Sequence, residues 1–303
     1  MENLEWLSRY LLVLGIPYFL VLMALELWAL HGRGRTTAAK GYEWRDSATS
    51  VSMGALKLVV MIGCALYTVP LFAWVYEHRV FTLSPLVWWT WVLLFFADDF
   101  TYYWYHRFAH RVRLLWSEHV NHHSSEHYNL STALRQSTLG PAFLFVYWLP
   151  LAWIGFHPAA IAVQFGLNLL YQFWIHTETV GNLGVFEKVF NTPSHHRVHH
   201  GSNGIYLDRN YAGILIIWDK LFGTFQPERK DVPVRYGLVH DIKTFRIGTV
   251  IFHELAFIVR QAWNAKGLRN KLGWILGPPE WSPEGPRWPD DHPQAVAARN
   301  QAS

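Results

Sequence analysis

Tyr10 to Leu30 is a continuous apolar run except for Glu26. It is long enough to cross a bilayer as a helix, which takes about 20 residues. In lipid every backbone N–H and C=O must be paired within the protein, so such a run has few folds open to it other than a helix. More runs follow. Residues 51–76 form a second, 85–104 a third, and 141–156 and 158–176 two shorter legs joined at Gly155-Phe156-His157-Pro158. Composition agrees: 51% of the chain is hydrophobic and 16% is charged, against about 25% charged in an ordinary soluble domain. The expected fold is all-α, a single domain over residues 1–303 with four or five apolar helices.

Basic residues orient it. Arg33, Arg35, Lys40 and Arg45 lie in the polar loop 31–50 after the first run, and positive loops favour the cytoplasmic side. Counting spans from there returns the end of the third run to the cytoplasm, where Arg107, Arg111 and Arg113 agree with it. The polar segments 105–140 and 177–244 are then expected to form a cytosolic cap. In the remainder, 245–303, Ile247, Val250, Ile251, Leu255 and Ile258 recur at helical spacing as an interfacial amphipathic helix, and the Pro-rich part from Gly277 to Pro293 should be extended. The start of the chain, with Glu2 and Glu5, does not read as a cleavable signal peptide. The tail Ala297–Ser303 has no retention signal of the K-D-E-L type. A net charge of +4 without a dense basic run gives no footprint for nucleic acid.

Histidine is the outlier. Of 17 histidines, twelve fall between His106 and His200. His106 and His110 are four apart, on one helix face. His119, His122 and His123 form an H-x-x-H-H box, and His196, His199 and His200 repeat it. In a helix the adjacent histidine of each box is rotated by about 100°, so one box can serve two neighbouring ions. His176 ends the last apolar leg. Nine imidazoles converging on one membrane face are too many for one ion, and two ions would take four or five each. Imidazole suits iron, copper, nickel and zinc. Zinc hydrolysis asks for about three ligands, and the single cysteine, Cys64, rules out a Cys-based site. A carboxylate-rich di-iron bundle would show Glu-x-x-His pairs, which these clusters lack. Iron-based activation of dioxygen fits better. A metal transporter would hold its ligands at mid-membrane in broken helices. A bis-His haem carrier would not need adjacent His-His doublets. Asp98 and Asp99 near the first cluster, and Glu118 and Glu126 beside the second, are candidates to orient a ligand imidazole. His127 and His195 read equally as members or neighbours of the clusters. His31, His78, His157, His240, His253 and His292 read as solvated or capping residues.

The boxes in this order resemble the fatty acid hydroxylase and sterol desaturase superfamily of membrane di-iron enzymes. So do the surrounding stretches His122-His-Ser-Ser-Glu-His-Tyr-Asn-Leu-Ser-Thr-Ala-Leu-Arg-Gln-Ser137, Leu170-Tyr-Gln-Phe-Trp-Ile-His-Thr177, Asn191-Thr-Pro-Ser-His-His-Arg-Val-His-His-Gly201 and Leu215-Ile-Ile-Trp-Asp-Lys-Leu-Phe-Gly-Thr-Phe225. These stretches are similar to its alkylglycerol-cleaving branch, and the likeness runs over about residues 45 to 290. The resemblance implies that His106, His110, His119, His122, His123, His196, His199 and His200 hold two irons, with His176 a further ligand. Gln172 stands where some relatives have another histidine, and His127 replaces an acidic residue. The implied reaction uses dioxygen and an external electron donor, tetrahydrobiopterin or another reductant. It hydroxylates the carbon beside the ether oxygen of a lipid. Fatty acyl chains, sterols and amino-acid-containing lipids are alternative substrates, and desaturation an alternative outcome. The implied location is the bacterial inner membrane or the endoplasmic reticulum, with the site on the cytoplasmic side.

Overall fold

A computed structural model describes residues 1–32, 40–293 and 295–296. Arg33, Arg35 and the tail from Ala297 to Ser303, which entered the orientation and targeting expectations, lie outside the described residues. Among those described, all regular structure is helical, and the only β-type pairings are two isolated bridges, Leu83 with Phe156 and Phe190 with Leu215.

Helices α1 (Glu2–Leu14) and α2 (Ile16–Gly32) follow each other across Gly15, and α3 (Trp44–Glu77) is the longest element. These make two helical stretches, Glu2–His31 and Trp44–Glu77, long and apolar enough to cross a membrane. Their apolar side chains point outward: Leu66 is 84% exposed, and Leu20, Val59 and Ile62 are also exposed. A helix of this composition in the core of a soluble protein would hide those groups. With 34 residues, α3 is about 51 Å long at 1.5 Å per residue, well beyond a hydrocarbon core of about 30 Å. The surplus is its first part, which starts before the expected residue 51. Glu43 caps it, accepting from Asp46 N, and Asp46, Thr49, Ser50 and Met53 are buried there.

The third apolar run becomes α4 (Trp88–Arg111), which carries straight on into the first histidine pair. Val112 breaks it with an extended backbone, and α5 (Arg113–His123) folds back bearing the second box. The leg 141–156 is not one helix. It is divided into 3-10 turns at Gly140–Ala142 and Leu144–Trp148 and a short α6 (Leu149–Ile154). Pro141 and Pro150, which cannot donate a backbone hydrogen bond, stand at the starts of two of these pieces. Gly155 then turns the chain at φ +135°, where a β-carbon would meet the Phe81 carbonyl. His157 caps α7 (Pro158–Trp174), its ring Nδ1 accepting from Ala159 N at 3.2 Å. Leu94, Tyr102, Trp148, Leu151, Phe156 and Ile161 knit α4, α6 and α7 into the main apolar core.

The cap after α7 is mostly loop, with α8 (Pro193–His199) carrying the third box and α9 (Ile217–Leu221) behind it. The expected amphipathic helix is α10 (Ile247–Asn264), but its stripe faces the other way. Val250, Ile251 and Ile258 are buried, the first two against Met53 of α3, while Phe252, Val259 and Trp263 are exposed. The sequence spacing found a real stripe, and the protein core took it. A further helix, α11 (Leu268–Leu276), lies in the tail where none was expected.

Candidate metal centre

The nine histidines singled out by spacing come together, and they divide into two groups. His106, His110, His119, His123 and His199 form one, and His122, His176, His196 and His200 the other, with ligand atoms in each group within 4.8 Å of one another. The rule of division is helical. His106/His110, His119/His123 and His196/His200 are four apart, and each pair stays in one group because such residues share a face. The middle histidine of each box, His122 or His199, is turned to the other group. The groups adjoin: the rings of His123 and His200 stack at 4.4 Å, and those of His199 and His200 lie 5.3 Å apart.

The ring nitrogens meet too closely for imidazoles left to themselves. His106 donates Nδ1–H to the Tyr211 carbonyl at 2.8 Å, His122 to Arg135 at 3.3 Å, His176 to Gln172 at 2.7 Å and His199 to Arg209 at 3.0 Å. A neutral ring that donates from Nδ1 has only a lone pair on Nε2. Yet the Nε2 atoms of His122 and His176 face each other at 3.1 Å. His119 Nε2 lies 2.9 Å from that of His106 and 3.1 Å from that of His123, and His196 Nε2 is 2.9 Å from that of His176. The facing lone pairs of His122 and His176 repel at such a distance unless a cation lies between them. Two nitrogens bound at about 2.1 Å and at right angles to one ion are about 3 Å apart, which is the spacing seen. His110, His199 and His200 each bury an Nε2 that has no protein partner. Burial is the main cause, and neighbouring imidazoles the next, that push His119, His123, His196 and His200 well below the usual histidine range. They are therefore neutral, the form that binds metal. An all-imidazole donor set of this size fits two transition-metal ions, and neither group includes a carboxylate or thiol among the described residues.

The expected orienting carboxylates do other work. Asp98 accepts from Trp148 Nε1 at 2.8 Å and Asn168 Nδ2 at 2.9 Å, joining α4 to the α6–α7 region. Asp99 accepts from the backbone of Ile214 and Leu215 and from Trp218 Nε1, at 2.7 to 2.9 Å. Both are thus committed to loops and helices, and Asp99 reaches a ligand only through the segment whose Tyr211 carbonyl holds His106. Gly213 permits this approach, since a β-carbon there would come within 3.0 Å of Asp99 Oδ1. Glu126 stands partly exposed between Lys40 and Lys243 at 4.0 and 3.7 Å. Glu118 accepts from Ser137 Oγ at 2.6 Å, and burial raises its carboxyl above the usual range. His127 and His195 stay outside both groups, with His195 beside Glu187 at 3.7 Å. His31 and His78 lie against carbonyls at the ends of their own helices, as the capping reading expects, whereas His253 lies half-buried within α10 against the Val250 carbonyl.

Sequence reasoning missed two supports. Glu26, the lone acid of the first apolar run, is buried and accepts from Tyr42, Leu130 N and Thr177, the residue after His176. Arg135 pairs with Asp46 at 3.1 Å inside the cap, and its own carbonyl holds His122. The break in apolarity at Glu26 was a signal for the first. For the second there was none, because 89 residues separate the partners.

An all-helical frame with apolar outer helices brings together nine imidazoles, eight buried and that of His119 half-buried, in two groups that could each hold a metal ion. Residues 91–224, which include all nine, match the model of the fatty acid hydroxylase family. Over most of its length the chain is similar to alkylglycerol monooxygenases. It is 46% identical to that of Homo sapiens over 280 residues (89% of this chain, 60% of the relative) and 45% identical to that of Danio rerio over 286 residues (92% and 62%). The ornithine lipid hydroxylase OlsE of Rhizobium tropici is 28% identical over 186 residues, 58% of this chain and 50% of that protein. The chain thus spans about 60% of the length of the alkylglycerol monooxygenases. No solved structure matches it.

Proposed function

We propose that this chain is a membrane di-iron monooxygenase that opens ether lipids. The observation that carries this is the division of nine imidazoles into groups of five and four, with lone pairs facing across about 3 Å. The similarity to alkylglycerol monooxygenases supplies the substrate class. Iron held by the two groups would supply dioxygen activation. One oxygen atom enters the C–H bond beside the ether oxygen and the other leaves as water, using two electrons and two protons from a donor such as tetrahydrobiopterin. The resulting hemiacetal breaks its C–O bond to give an aldehyde and a glycerol. The protein's part is to keep nine rings neutral, oriented and dry, and carbonyls on four separate residues do the orienting.

In this reading the chain crosses the membrane several times, four or five apolar helices enter lipid, and the metal-bearing cap lies on the cytoplasmic side. The arginines at the end of α4 support that side. Purified protein should contain about two irons per chain. With an alkylglycerol, a tetrahydropterin and 18O2, it should yield an aldehyde that carries one labelled oxygen when trapped by reduction. Haem in place of non-haem iron, or no oxygen-dependent product from any ether, acyl or amino-acid lipid, would falsify the proposal.

We also assign α10–α11 to the membrane surface. Phe252, Val259 and Trp263 line one side of α10, with Trp263 82% exposed, and Leu268, Leu272 and Leu276 continue along α11. Arg260, Lys266, Arg269 and Lys271 are exposed in the same stretch, whose one acid, Glu254, turns inward towards Arg113 at 3.9 Å. Such a face suits anionic headgroups, at roughly 1 kcal/mol per basic residue near the surface. A spin label at Trp263→Cys, in a Cys64→Ser background, should sit deeper in nanodiscs as phosphatidylglycerol is raised. Glutamine at all four basic positions should abolish that dependence. A label in water at every lipid composition refutes the assignment.

A further inference from the structure

One loop serves three of the five ligands in the larger histidine group. The Tyr211 carbonyl accepts from His106 and the Arg209 carbonyl from His199. The third is His110, whose Nδ1 faces Oδ1 of Asp208 at 3.7 Å. Asp208 therefore stands alone as a carboxylate among outer contacts that are otherwise neutral carbonyls. Its backbone is held at φ 59°, a left-handed conformation uncommon for any residue but glycine, and Asn210 two residues on repeats it at φ 57°. Strain of this kind persists only where the surroundings over-determine it. Here they do. Asn210 bonds to the carbonyls of His195 and Gln226, and Asp219 accepts from the backbone of Tyr211 and Ala212 at 2.8 Å each. The other oxygen of Asp208 is taken by Arg111 at 2.5 Å, and Arg111 also reaches Glu280 of the tail at 3.6 Å.

We propose that Asp208 is a positioning residue for His110. Its carboxylate turns that ring so that the buried, unpartnered Nε2 enters the five-histidine group, and gives this one ligand an anionic outer partner. An imidazole backed by a carboxylate is the stronger donor, and loss of such a partner typically costs about 10- to 100-fold in metal affinity. Arg111 holds the carboxylate's far side and is not itself needed for that donation.

The inference rests on the proposed two-iron reading, and the test separates the two. Three full-length variants in detergent are compared with wild type for iron content and for the rate of iron release to a chelator. Asp208→Gly keeps the left-handed backbone without strain, so it should fold with an unchanged helical spectrum. It should release one of two irons at least about 10-fold faster. Asp208→Asn, which keeps a neutral acceptor, should fall between it and wild type. Arg111→Gln should stay within about twofold of wild type in iron release. The inference fails if Asp208→Gly holds both irons as tightly as wild type, or if Arg111→Gln loses iron equally fast. It also fails if Asp208→Gly does not fold while Asp208→Asn releases iron at the wild-type rate. A wild type holding no iron would instead sink the two-iron reading itself.

Discussion

His122→Ala and His123→Ala, substitutions one residue apart, should each lower activity by at least about 100-fold while depleting different metals. His122 belongs with His176, His196 and His200, whereas His123 belongs with His106, His110, His119 and His199. Losing His122 leaves three imidazoles in its group and losing His123 leaves four. The first variant should retain iron in the five-histidine group and the second in the four-histidine group. With 57Fe, Mössbauer spectra of the two should each keep a different component of the wild-type signal. If both variants lose the same component, or if either keeps full activity, the division into groups is wrong. Substituting His127 or His195, which lie outside both groups, should leave the iron content at the wild-type level.

Asp46→Ala should cost about 3–5 kcal/mol of stability, the usual result of stranding one partner of a buried ion pair. Both partners are almost fully buried, Arg135 at 1% and Asp46 at 2% side-chain exposure. Asp46 also accepts from Ser125 Oγ at 2.6 Å, and Arg135 bonds to the Asn121 carbonyl at 3.1 Å and to Ser124 Oγ at 2.9 Å. The alanine thus strands a guanidinium inside the segment that follows the second box. The Arg135 carbonyl holds His122, so the four-histidine group should also bind iron less tightly. Asp46→Asn, which can still accept hydrogen bonds, should lose less. Chemical unfolding in mixed micelles measures the first effect and chelator release the second. A loss under about 1 kcal/mol would mean that water reaches Arg135 and that the pair is not a dry one.

Much of the candidate metal centre is legible in the order of residues alone, for a physical reason. Metal ligation by imidazole on a helix imposes spacings of three and four, and these stand directly in His106/His110, in His119/His122/His123 and in His196/His199/His200. The lone His176 could be included because it ends an apolar leg and matches a further position in the resemblance. Long-range hydrogen bonds leave no periodic trace. Asp98 and Asp99 read as orienting carboxylates from their place on the helix, but their partners are Trp148, Asn168 and the 214–218 segment. Asp208, which does face one of the nine histidines, His110, lies in a loop with no pattern to mark it.

The amino-acid sequence by itself determined that the chain is helical, that apolar runs carry it, and that nine named histidines converge. Local rules suffice for these: hydrophobic length, helical period and residue type. Only the tertiary structure decided how the nine divide, which carbonyls fix four of the rings, that the 141–156 leg breaks into short turns, and that the apolar stripe of α10 faces the core. Each of those depends on what a residue meets across the fold, and a group's partner there is selected by packing and desolvation rather than by its neighbours in the chain.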